Sequence, residues 1–297
     1  MQQLCLVLFC VLAWPAQAAL TVLATVPEWA ALAKEIGGSR VTVYAATTGL
    51  LQDPHRIEAK PSLIARARTA KLVVANGAEL EIGWLPVVLR ESGNRDIQPG
   101  RPGYFEAATA VTMLGVPTVV DRAHGDVHAA GNPHIHTDPR NIQKVAEALA
   151  ARMSELDPAE ATTYRSGLQA FASKWRAAIA RWENEAAPLQ GVPVLVQHDA
   201  FPYLVRWLGL KVVGTLEPKA GVEPSASHLA SVLGQHGRQP ARMVLRPAYQ
   251  HDAPSRWIAA RAGIPAVVLP FTVGGTTEAT DLVSLFDDTV RRLLAAQ

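Results

Sequence analysis

Short β-type runs alternate with amphipathic helical segments in two separate stretches of this 297-residue chain, and that alternation restricts the fold more than any other feature. In the first stretch, residues 20–25 form an apolar run of strand type. A helical segment follows, with Trp29, Leu32, Ala33 and Ile36 on one face and Gly37-Gly38 at its end. Residues 41–44 read as a strand, 61–70 as a helix, 71–75 as a buried strand ending at Asn76-Gly77, and 80–91 as a further helix. In the second stretch, strands at 192–197, 211–215, 243–246 and 266–269 are separated by helices at 201–208, 225–235 and 255–262. An amphipathic helix over 281–294 closes the chain. The expected class is α/β, with two lobes that each carry a mainly parallel sheet flanked by helices.

Between the stretches, Tyr164, Leu168, Phe171, Trp175, Ile179 and Trp182 recur at steps of three and four, one apolar stripe down a helix of roughly 45 Å. Asp157 is placed to cap it, with Pro158 at the first helical position and Glu160 in the first turn. The expected division is therefore a leader over residues 1–18, a first α/β lobe over 19–156, a connecting helix over 157–187 and a second α/β lobe over 188–297.

The leader rests on the apolar run over residues 4–14, followed by Pro15 and the small-x-small end Ala16-Gln17-Ala18. This run is shorter than the about 20 apolar residues a membrane span needs, which favours export and cleavage near Ala18 over anchoring. Met1-Gln2-Gln3 supplies no Lys or Arg. The two cysteines, Cys5 and Cys10, both fall in the leader, and Phe9 stands where a lipid-attachment signal wants a small residue. The exported chain thus has no thiol, so a tight metal site has to be built from nitrogen and oxygen. A formal net charge of +2 without any Lys/Arg block gives no support to a nucleic-acid or anionic-membrane partner.

Histidine is distributed unevenly: four of nine, His124, His128, His134 and His136, lie in one loop rich in glycine, proline and polar residues. The rest are His55, His198, His228, His236 and His251, of which the last three suggest only structural roles. Neutral imidazole is the commonest protein ligand for zinc. Asp53-Pro54-His55, Asn132-Pro133-His134 and Gln197-His198-Asp199 each put a histidine at a strand-to-helix junction, where the loop ends of a parallel sheet gather to form sites.

Over its exported length the chain resembles the periplasmic zinc- and manganese-binding proteins of bacterial ABC importers. The resemblance is carried by Asp53-Pro54-His55 with Pro61-Ser62, by the run 72–77 with Glu81 and Trp84-Leu85, and by Gly131-Asn132-Pro133-His134 with Asp138-Pro139. His198-Asp199-Ala200-Phe201 with Tyr203, Gly209-Leu210 and Glu217-Pro218-Lys219 complete it. It implies a periplasmic monomer, not an enzyme, that binds a metal ion in a cleft between lobes and delivers it to a membrane permease. His55 and His134 would be ligands from the first lobe and His198 from the second. Three nitrogen ligands suit Zn2+ better than Mn2+, which prefers oxygen.

Family members place a fourth, oxygen ligand just after a late strand of the second lobe. Here that stretch reads Pro270-Phe271-Thr272-Val273-Gly274-Gly275, with no carboxylate before Glu278 and Asp281. The fourth position is open among Asp281, Glu278, Glu217, His128 and water; Asp281 is the choice made here, although it also suits the N-cap of the last helix. By the same resemblance, His124, His128 and His136 form a short collecting loop that raises the encounter rate for zinc.

A rival reading is a secreted zinc hydrolase built on His134-x-His136-x-Asp138, since catalytic zinc sites also use three protein ligands and a water. Against it, Pro139 follows Asp138 where the metallo-β-lactamase type has a histidine, and Asp138-Pro139 looks like a helix start. No Ser/His/Asp order, phosphate loop or nucleotide fingerprint competes.

Overall fold

The computed structural model describes residues 18–48, 52–117 and 128–297; most of the leader, and His124, lie outside the described residues. Four strands, β1 (Leu20–Ala24), β2 (Val41–Ala45), β3 (Leu72–Ala75) and β4 (Tyr104–Glu106), form a wholly parallel sheet in the order β2-β1-β3-β4. The second sheet repeats this plan with β5 (Pro193–Val196), β6 (Lys211–Thr215), β7 (Met243–Pro247) and β8 (Ala266–Leu269) in the order β6-β5-β7-β8. In each sheet the chain leaves the first strand to one side and returns on the other. Such a switch opens a crevice outside the carboxyl ends of the two central strands.

Helices α1 (Pro27–Gly37), α2 (Pro61–Thr69), α3 (Leu85–Ser92) and α4 (Pro139–Leu156) accompany the first sheet. α6 (Pro202–Leu208), α7 (Ala226–His236), α8 (Ala253–Ala262) and α9 (Leu282–Leu294) accompany the second, and α5 (Ala161–Glu185) lies between. Asp138 starts α4 by accepting a hydrogen bond from the Arg140 amide at 2.9 Å. Asp281 starts α9 through a capping box with Ser284.

Two local expectations are corrected, and one strand has no counterpart in the sequence pattern. α5 begins at Ala161, because Pro158–Glu160 is a 3-10 turn and the Asp157 carboxylate accepts from the Tyr164 hydroxyl at 2.8 Å instead of capping the helix. The helix read over residues 80–91 is shorter, because Gly77, Ala78 and Glu79 take φ values of 82°, 50° and 64° and turn the chain before α3 can start. β4, only three residues long, has too little alternation to be read from sequence.

One apolar cluster runs continuously from Leu20, Val22 and Val74 of the first sheet to Val194, Val196 and Leu245 of the second. Tyr164, Phe171, Trp175, Ile179 and Trp182 of the α5 stripe fill its middle. Trp175 Nε1 donates to Pro139 O at 2.8 Å, and Trp182 Nε1 to Asp287 Oδ1 at 2.5 Å, so one helix is bonded to an element of each half. Lobes joined by a large apolar interface move less than lobes on a linker. Where α5 crosses α1, a Cβ on Gly167 would stand 2.1 Å from Ile36 O, so the crossing requires glycine. No helix among the described residues is long and apolar enough to cross a membrane.

Candidate metal centre

The first two sequence contexts share one construction. Asp53 Oδ1 accepts from the His55 backbone amide at 3.0 Å and from its ring Nδ1 at 2.8 Å. Asn132 Oδ1 accepts from the His134 amide at 3.0 Å and from its Nδ1 at 2.8 Å. An oxygen-bearing residue two places before the histidine thus holds both its backbone and its ring, and the intervening proline fixes the backbone between them. The Asn132 amide is oriented by its other end, where Nδ2 donates to Asp199 O at 2.7 Å across to the second lobe.

His198 lies two residues beyond β5 and is held by a distant partner, with Nδ1 2.7 Å from Glu217 Oε2. That same oxygen accepts from the Gly221 amide at 2.8 Å, while Oε1 accepts from Gln250 Nε2 at 3.2 Å. In all three histidines an oxygen acceptor fixes the proton on Nδ1 and leaves the Nε2 lone pair available. Nε2 of His134 is buried and has no hydrogen-bond partner among the described residues. A buried polar atom of that kind calls for an account, and a cation supplies one.

The ring centroids of His55 and His134 are 5.4 Å apart, those of His134 and His198 5.5 Å, and those of His55 and His198 6.2 Å. Imidazole nitrogens ~2.0 Å from a tetrahedral zinc ion bring their ring centroids to about 5 Å from one another. Among the described residues no group of three or more His, Cys, Asp or Glu side chains stands in an arrangement that could hold a metal ion as it is. The rings stand wider than a liganded set. A cavity of about 140 Å3 opens here, lined in part by His128, His134, His198 and Asp199. A wider one, of about 800 Å3, lies near Thr21, Lys71 and Arg101 and has no histidine in its wall.

The electrostatics separate the rings. Burial, reinforced by the neighbouring His55 and His198, holds the His134 imidazole well below its ordinary pKa, so it stays neutral. Burial also opposes charge on His198, but the Glu217 hydrogen bond and charge outweigh it and raise that pKa. Asp53 loses some acidity to burial, yet its bonds to His55 prevail and hold its carboxyl below the usual value.

Asp281 has another partner: its Oδ1 accepts from the Ser284 amide at 2.7 Å and from Ser284 Oγ at 2.8 Å, and it does not line the imidazole cavity. Glu278 is exposed and bonded to Thr277 and Arg292. His136 is buried, with Nε2 donating to Phe271 O at 3.0 Å and 3.3 Å from Glu28 Oε1. Asp138 caps α4 and pairs with Arg140 Nη2 at 2.8 Å. The His134-x-His136-x-Asp138 triplet therefore does not converge, because its second and third members serve the lobe junction and a helix end.

Sequence reasoning missed the anchors behind the ligand loops. Asn76 accepts from Trp29 Nε1 at 3.2 Å and donates to Pro133 O at 2.8 Å, fixing the backbone just before His134. The buried Glu81 carboxylate, its pKa raised by burial, accepts from Thr25 Oγ1 at 2.5 Å and from the Asn76 amide at 2.7 Å. Asn76 belongs to the run 72–77 and Glu81 follows it, but Trp29, Pro133 and Thr25, which fix them, lie some 50 residues away.

A family model described as ZnuA, zinc-uptake complex component A, periplasmic, matches residues 22–296. The chain is 21% identical over 258 residues to the metal ABC transporter substrate-binding lipoprotein SloC of Streptococcus mutans, covering 85% of this chain and 81% of that one. It is 24% identical over 184 residues to the high-affinity zinc uptake system protein ZnuA of Bacillus subtilis, covering 61% and 56%. A crystal structure of ZnuA superposes with a TM-score of 0.77 at 23% identity, over 94% of this chain and 99% of that one. The Mn2+ complex of FpvC from Pseudomonas aeruginosa gives 0.76 at 23%, over 94% and 99%. The Cd-bound periplasmic metal binding protein of Candidatus Liberibacter asiaticus gives 0.75 at 17%, over 93% and 98%.

Proposed function

Because the chain belongs to the family of the periplasmic component A of zinc-uptake complexes, we propose that it captures Zn2+ between its lobes and delivers it to an ABC permease. The family is one of transport components. The reading rests above all on one observation: three imidazoles from three loops stand with ring centroids 5.4, 5.5 and 6.2 Å apart, each with Nδ1 next to an oxygen. His55, His134 and His198 are the ligands in this reading, and Asp53, Asn132 and Glu217 orient them.

Zinc is favoured over manganese because all three donors are nitrogen and the nearest carboxylates are occupied in holding rings. The named relatives include zinc-uptake proteins, while solved neighbours carry manganese or cadmium, so fold likeness leaves the ion to the donor set. The protein works as a periplasmic monomer released from its leader near Ala18. It has two lobes, over residues 19–156 and 188–297, with the segment 157–187 between them. Metal analysis of tag-free protein from the periplasmic fraction, followed by competition against a chelator, tests this. One zinc per chain supports the proposal; no bound metal, or manganese held more tightly than zinc, overturns it.

A further inference from the structure

Residues 132–138 belong to the chain of the first lobe, yet they are tied to the second lobe along their length. Asn132 Nδ2 donates to Asp199 O at 2.7 Å, one residue past His198. His136 Nε2 donates to Phe271 O at 3.0 Å, beyond β8. Arg206 of α6 stands with Nη2 3.8 Å from Asp138 Oδ2. The loop that carries His55 is held differently. Asp53 anchors its histidine and Pro54 O accepts from Trp84 Nε1 at 3.0 Å, so among the described residues its hydrogen bonds run within the first lobe.

Tyr203 supplies a further tie through two bonds. It is buried on α6, and its hydroxyl accepts from the Leu114 amide at 3.0 Å and donates to Asn132 O at 2.8 Å. The Asn132 amide in turn donates to Leu114 O at 2.7 Å, so two backbone segments of the first lobe and one hydroxyl of the second form a closed set of three bonds. Since the hydroxyl accepts from an N–H and burial raises its pKa, it keeps its own proton to give to Asn132 O. The approach of the two segments is close: at Gly131, with φ 104°, a Cβ would stand 2.7 Å from Leu114 O, so glycine is required there. Asn132 passes its fixed position on, because its Oδ1 holds both the amide and the ring of His134.

Resting on the zinc-capture reading, we infer that Tyr203 is a positioning residue for the metal centre: its hydroxyl fixes the His134 loop to the second lobe, so that His134 and His198 form a preset pair on which His55 closes. The pair's ring centroids are 5.5 Å apart, and the bonds that hold them are present before any metal arrives. Setting two of three ligands in advance lowers the ordering cost that binding has to meet. Without the hydroxyl, Leu114 N and Asn132 O lose the partner they share, and the anchor of His134 is free to shift.

The test measures zinc Kd by chelator competition on tag-free protein for wild type, Tyr203→Phe, His134→Ala and the double variant, with Tyr164→Phe as control. Tyr164 is equally buried and would lose a comparable bond, to Asp157 Oδ2 at 2.8 Å, but it does not line the imidazole cavity. Tyr203→Phe should raise the zinc Kd at least ~10-fold, whereas Tyr164→Phe should leave it within about twofold even where it lowers the melting temperature. Because Tyr203 acts through His134, adding Tyr203→Phe to His134→Ala should weaken binding by no more than about twofold further. A Tyr203→Phe protein with wild-type affinity, or a loss equally large with and without His134, would overturn the assignment. Should Tyr203→Phe fail to fold, hydrogen exchange in metal-free wild type decides: the Leu114 amide should exchange about as slowly as the amides of β5, and free exchange there would overturn the preset pair. Wild type that binds no stoichiometric zinc would instead defeat the capture reading itself.

Discussion

Glu217 Oε2 lies 2.7 Å from His198 Nδ1, and the two residues are 19 positions apart in sequence. The carboxylate sets the ring's tautomer, leaves the lone pair on Nε2 and raises the imidazole's pKa against the effect of burial. In the proposed zinc site, one side chain would thus set both the tautomer of the His198 ring and the pH at which a proton competes with the metal for it.

Removing that carboxylate should weaken zinc binding without unfolding the protein. Glu217→Ala should raise the zinc Kd by roughly 10- to 100-fold, as loss of an orienting partner does. Glu217→Gln keeps an oxygen for Nδ1 but removes the charge that lifts the pKa, so its loss should be smaller. Chelator competition at a pH near 7.5 measures both.

The pH dependence follows from the two opposite shifts. Zinc needs neutral imidazole, so binding is lost as pH falls through each ligand's pKa. The raised pKa of His198 makes it take up its proton above the ordinary value of about 6.5, whereas the depressed pKa of His134 delays its proton to well below that. A plot of log Kd against pH should therefore steepen in stages below neutrality, not in one three-proton step. In Glu217→Gln the first stage should move to lower pH. A flat profile from about pH 7.5 to about pH 5 would remove histidine from the site.

Asp281 should behave as a helix cap. Asp281→Ala should destabilise the metal-free protein by about 0.5–2 kcal/mol through the lost capping box and leave the zinc-induced rise in melting temperature intact. Calorimetric melts with and without zinc separate this from a ligand role, in which the zinc-induced rise itself would shrink.

Gly167 tests the joint between the lobes. In an exposed helix, glycine to alanine gains up to about 1 kcal/mol. Here the new methyl would meet the Ile36 carbonyl, so Gly167→Ala should lower stability by about 1–3 kcal/mol, measured by denaturant melts.

Much of this architecture could be read from local pattern. Strands β1, β3, β5 and β8 are apolar runs bounded by turn residues, and the α5 stripe repeats with helical spacing, so periodicity alone carries them. The Asp53-Pro54-His55 and Asn132-Pro133-His134 contexts were legible for the same reason, since each histidine's anchor lies two residues away. What stayed hidden depends on distant partners. Glu217 stood only among the candidates for the fourth ligand, with nothing in the sequence to join it to His198, and Asn76 gave no sign of the Pro133 carbonyl it holds. His136 looked like one more loop histidine, yet it is buried between Glu28 and Phe271.

The central claim is that zinc is held jointly by the two lobes, through His55 and His134 on one side and His198 on the other. Zinc affinity by chelator competition for wild type, His55→Ala, His134→Ala and His198→Ala tests it most directly, alongside the zinc-induced rise in melting temperature. Tight binding stabilises by RT ln(1 + [L]/Kd), roughly 4 kcal/mol at free zinc a thousandfold above Kd. The account predicts that all three substitutions weaken binding and shrink the rise, while the metal-free proteins melt close to wild type. A His198→Ala protein that keeps wild-type affinity and the full rise, while the other two lose them, would confine the site to the first lobe and contradict the account.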